Sequence, residues 1–142
     1  MIIEWEEHML RNSVSAFLFV IAATIVGTSL PLNAAEGPAV KRTVLMQQDL
    51  AIPGYSTALV QVDFPVGARE GRHTHPGTVM VHVEEGAVTL FYEGHPMTTY
   101  KAGETFFVEA GKVHEGINNG NAPAKAIASF VVEKGKPLTT QQ

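Results

Sequence analysis

Two histidines one residue apart, His73 and His75, sit inside the segment from Gly67 to Gly86. On an extended chain the side chains alternate, so both imidazoles face the same side. Two neighbouring imidazole nitrogens form half of the inner ligand shell that a transition metal takes. A third histidine, His114, lies in a second glycine-bounded segment, Gly103 to Asn118. The chain contains no cysteine, which excludes thiolate ligands, disulfides and a cysteine nucleophile. His73, His75 and His114 are therefore the candidate ligands of one divalent transition metal: iron, manganese, zinc, nickel or copper. The competing reading makes them polar core residues, and it must find every buried imidazole a hydrogen-bond partner.

Other polar residues near these segments rank lower. Arg69 and Arg72 flank the first segment and suit bidentate binding of a substrate carboxylate; a solvated loop with Glu70 between them fits equally well. His82 lies three residues past Val79 and so points to the opposite strand face. His95 falls in a hairpin turn, where a surface position is expected. Glu115 follows His114 and faces away from it, and neither Glu115 nor Glu109 is assigned a role. Phe64, Phe91, Phe106 and Phe107 read as core. The chain offers no serine–histidine–aspartate spacing, phosphate loop or basic patch.

A chain of 142 residues allows one domain. With 45% hydrophobic and 17% charged residues its composition forms a core and is not that of a disordered chain. A formal charge of −4 argues against a nucleic-acid surface.

The amino terminus has a composition of its own. After Arg11, no residue from Asn12 to Ala35 is charged, and Val14 to Leu30 is strongly apolar. Small residues at Asn33, Ala34 and Ala35 follow Pro31, the layout of a secretory signal cleaved after Ala34 or Ala35. Gly27, Thr28, Ser29 and Pro31 interrupt the run and favour cleavage over a retained membrane anchor. Glu4, Glu6 and Glu7 place acid where a signal wants base, so Met9 makes the better start and His8 falls outside the mature protein. The expected plan is a signal peptide over residues 1–35, an arm over 36–56, a folded domain over 57–133 and a flexible tail over 134–142. The compartment is then periplasmic or extracellular, with no membrane contact after cleavage.

The elements that must hold the histidines read as strands. Thr57 to Phe64 alternates, with Ala58, Val60, Val62 and Phe64 on one face. Val79 to Glu84 alternates again, with Val79, Val81 and Val83 on one side. Val88 to Tyr92, Met97 to Lys101, Thr105 to Val108, Val113 to Ile117 and Ala124 to Glu133 are further strands, separated by glycine and proline turns. No stretch after the leader has a helical period. This is an all-β pattern, a sandwich or barrel.

The two histidine segments resemble the two motifs of the cupin superfamily. Its first motif is G-x5-H-x-H-x3,4-E-x6-G; Gly67, His73, His75 and Gly86 hold their places, and Val79 stands at the glutamate. Its second is G-x5-P-x-G-x2-H-x3-N; Gly103, Gly111, His114 and Asn118 hold theirs, and Glu109 stands at the proline. The resemblance covers about Thr57 to Glu133 and implies a jelly roll, or double-stranded β-helix, with a metal inside the barrel. Small cupins often pair through an edge strand, which suits the apolar Ala124 to Val132 in a homodimer.

The absent glutamate has a chemical consequence. Three neutral histidines leave a divalent ion at +2, so the site favours an anionic ligand such as a carboxylate, enolate or thiolate. About three octahedral positions stay open, room for a chelating substrate and dioxygen. Three-histidine iron cupins such as the cysteine dioxygenases and acetylacetone dioxygenase work in this way. The expected function is thus a metal-dependent oxygenase acting on a small anionic or chelating molecule. The alternative is a non-catalytic module that binds or senses a small ligand.

Overall fold

A computed structural model describes residues 37–142. The expected signal peptide over residues 1–35, the start at Met9 and His8 lie outside the described residues. Among the described residues there is no helix. The strands are β1 (Lys41–Asp49), β2 (Tyr55–Phe64), β3 (His73–Thr74), β4 (Gly77–Glu85), β5 (Ala87–Tyr92), β6 (Thr98–Lys101), β7 (Thr105–Val108), β8 (His114–Ile117), β9 (Ala124–Glu133) and β10 (Thr140–Gln141). They form two five-stranded sheets, ordered β1-β2-β9-β4-β7 and β10-β3-β8-β5-β6, and every pair is antiparallel.

The period-two pattern decides which side is core. Ala58, Val60, Val62 and Phe64 of β2 face inward, as do Ala124, Ala126, Ala128, Phe130 and Val132 of β9, and all are buried. Val79 and Val83 of β4 meet them across the register Val79↔Phe130 and Val83↔Ala126. One inner surface of the large sheet thus faces the short histidine strands. The loop ending β4 needs its glycine. Gly86 has φ +70°, and a Cβ there would stand 2.5 Å from the Pro123 carbonyl oxygen.

Four expectations are corrected. The stretch expected as an arm over 36–56 contains β1, which pairs with β2 from Lys41↔Asp63 to Asp49↔Ser56. The tail expected to be flexible contains β10, which pairs with β3 through Thr140↔Thr74 and Gln141↔His73. Ala124 to Val132 is no edge: β9 lies between β2 and β4, so both rows of its backbone groups are already taken. Phe107 lies on the outer face, exposed, while Phe106 points inward.

Candidate metal centre

β3 and β8 bring the histidines together. His73 is directly opposite His114 in their register, and His75 follows two residues on, on the same face. All three are buried, and their ligand nitrogens lie within 4.8 Å of one another. An ion bonded to imidazole at about 2.1 Å spans ligands up to roughly 4 Å apart, so small ring adjustments suffice for one ion to reach all three.

The tautomers are fixed by the backbone. His73 Nδ1–H donates to the Gly71 carbonyl at 2.8 Å, His114 Nδ1–H to Lys112 at 2.9 Å, and His75 Nδ1–H to Leu138 at 2.6 Å. A proton held on each Nδ1 leaves each Nε2 with a lone pair. The outer nitrogen bonded to a carbonyl is also how metal-ligating histidines are usually oriented. Burial lowers the pKa of His75 to about 4, against the raising effect of its bond to Leu138; the charges of His73 and Arg42 lower it further. Burial likewise lowers His114 to about 4. Both rings are neutral at pH 7, the form that binds metal. The donor set therefore fits a divalent ion, which would supply Lewis acidity and positions for ligand and dioxygen.

The histidines open onto a cavity walled by Val60, Val62, Val79, Val81, Phe106 and Phe130. Its volume, counted where the centre of a water molecule fits, is about 50 Å³. One water needs about 10–15 Å³ on that measure, so the space suits a ligand of few heavy atoms. Val79, at the glutamate place of the motif, points into this cavity and brings no carboxylate.

The arginines are arranged differently from expectation. Arg69 Nε and Nη2 donate to both oxygens of the buried Glu115 at 2.9 and 2.8 Å, which ties the loop before β3 to β8. That pair holds the Glu115 carboxyl below its ordinary range. Arg72 lies over the Phe91 ring, 4.5 Å from its centroid. Neither Arg69 nor Arg72 lines the histidine cavity. Arg42 of β1 and Glu70 do, joined by an ion pair of 2.7 Å. Sequence reasoning missed both in this role, because 28 residues separate them and no local spacing links them. The one usable signal was Gly116, two residues past His114 on the same inward face, which leaves room for the Glu70 carboxylate.

His82 is exposed on the outer face, and His95 is exposed and stacked on Tyr92 at 4.8 Å. Glu109 is exposed, and its backbone N–H donates to the Tyr92 hydroxyl at 3.3 Å. Asn118 is fully buried. Its Nδ2 donates to the carbonyls of Phe64 and Ala122, and its Oδ1 accepts from Gly120 N–H, so it ties the turn after β8 to the end of β2.

The sequence profile of the Cupin domain family matches residues 60–133. The chain belongs to the cupin family. This cupin is 34% identical over 87 residues to a germin-like protein, subfamily 2 member 2, of Arabidopsis thaliana. The match covers 56% of this cupin and 40% of that protein, so the chain spans less than half of its relative's length. A cupin-like protein of Thermotoga maritima superposes with a TM-score of 0.62 at 20% identity, over 72% of this chain and 75% of the other. An oxalate oxidase in complex with glycolate superposes with a TM-score of 0.58 at 23% identity, over 72% and 54% of the two chains. These structures share the fold, and the three-histidine group fits a metal-binding cupin.

Proposed function

We propose that this cupin is an exported metal-dependent oxygenase or oxidase acting on a small anionic or chelating molecule. One observation carries the reading: three buried imidazoles, each with Nδ1 bonded to a backbone carbonyl and its Nε2 left free, cluster at one small cavity that all three line. His73, His75 and His114 would hold the ion, and the bound metal would supply the redox chemistry. The chain's own contribution is to keep the imidazoles neutral, exclude bulk water with valine and phenylalanine walls, and admit only a small ligand. The oxalate oxidase likeness supports an oxidative reaction on a small acid. Export rests on the apolar run and small residues before Glu36. A homodimer belongs to the same proposal.

The test is oxygen consumption by protein loaded in turn with each first-row metal. The panel contains thiols, small diketones, catechols and short hydroxy- and oxo-carboxylates. Turnover on at least one carboxylate or diketone is expected, and loss of it in His73→Ala. Oxygen uptake by none of the metal forms would contradict the enzyme reading. A specific feature then favours a ligand-binding module: the cavity's carboxylate, Glu70, is already engaged by Arg42 and the Gly116 N–H.

A further inference from the structure

We propose that Arg42 is the carboxylate-recognition residue of the histidine cavity, with Glu70 as its resting counter-ion. The inference rests on the metal-site reading and adds to it the group that selects the ligand. Arg42 reaches the cavity from β1, an element that belongs to neither histidine segment. Among the described residues lining the cavity, it is the one arginine or lysine.

The two candidate arginine pairs differ in how much of the guanidinium they use. Arg69 gives both Nε and Nη2 to Glu115, a closed fork. Arg42 gives one Nη2–H to Glu70 Oε1 at 2.7 Å. A guanidinium carries five N–H donors, so Arg42 keeps an open edge for a second carboxylate.

Glu70 does not depend on Arg42 for its place. Its Oε2 accepts the Gly116 N–H at 3.1 Å, in the space left by the missing side chain; a Cβ on Gly116 would stand 2.6 Å from that oxygen. Arg42 can therefore turn to an incoming anion while the backbone still holds Glu70. The charges agree. A divalent ion on three neutral imidazoles, with Arg42 and Glu70 cancelling, leaves the cavity near +2. The ligand that fits is a small dicarboxylate, one carboxylate for the metal and the other for Arg42, so that a half-amide would leave only its amide to the arginine. The Arg42 side chain is 39% exposed and that of Glu70 12%, which places the arginine at the mouth, where an anion enters.

The test uses the full chain loaded with one metal, its content measured in wild type and every variant. Binding of malonate and of malonamate, the same shape with one charge fewer, is followed by calorimetry. Charge-assisted hydrogen bonds of roughly 1.5–3 kcal/mol correspond to a preference for malonate of about ten-fold or more in wild type. Arg42→Gln is expected to reduce that preference to near one with metal content unchanged. Glu70→Gln is expected to tighten malonate, because a competing carboxylate is gone, whereas a purely structural pair would weaken both probes alike. An equal malonate preference in wild type and in fully loaded Arg42→Gln would overturn the assignment. A wild type that takes up no metal would overturn the underlying reading, and the metal content tells that failure apart.

Discussion

Each imidazole in the cavity is aimed by a carbonyl, and this explains how three polar rings persist in an apolar barrel. The same burial makes the metal-free protein sensitive to acid. Folded His75 and His114 take protons near pH 4, below the ordinary 6.5. The unfolded chain therefore protonates first as pH falls. The stability of these neutral rings is fully present above pH 6.5 and is lost as pH falls toward 4. Glu115, held below its ordinary 4.5 chiefly by its hydrogen bond to Arg69, adds loss only at the acid end of that range. The melting temperature of metal-free protein should be level from pH 7 to 8 and should decline from 6.5 to 4. A rise on acidification would contradict this electrostatic account. The histidine cluster was legible because His73-x-His75 and the second glycine-bounded segment around His114 are each local patterns. Arg42 and Glu70 were not, because tertiary pairing alone brings them together.

At the scale of elements, β10 links the segment after β9 to the histidine cluster. It pairs with β3, and Leu138 just before it orients His75. Ending the chain after Pro137 should leave the β2–β9–β4 core folded but weaken metal binding by about 10–100-fold, the usual cost of losing a ligand's outer partner. Competition with a chelator measures this; unchanged affinity would show that Leu138 does not matter. The strands β2 and β4 were readable from alternation, since one face of each packs inward, and β5 to β9 as runs between glycine and proline turns. β1 was not, because all nine of its residues are exposed and its sequence has no clean period. β10 was hidden for a different reason: two residues leave no period, and pairing with β3 alone defines it.

For the whole molecule, the large sheet presents an apolar row on its outer face. The register joins Met46, Leu59, Ser129, Met80 and Phe107 in one line across it. Met46, Met80 and Phe107 are each about half exposed, at 49%, 50% and 51%. The bulge between Val44 and Met46 discourages pairing along the β1 edge, so the proposed dimer would join face to face over this row. Light scattering should give twice the chain mass, and Met80→Glu should give a monomer. A wild-type monomer at working concentration would contradict the dimer. The barrel itself was evident from its two glycine-bounded motifs, but the exposed apolar row was not, since it depends on sheet order and not on strand composition. The central claim, that the three histidines hold a metal, is tested most directly by elemental analysis. The protein should be purified without a histidine tag and compared with His114→Ala. The account predicts about one first-row metal ion per chain, lost in the variant. Sub-stoichiometric metal in both would mean that the histidines are polar core residues, and the proposed chemistry would fall with them.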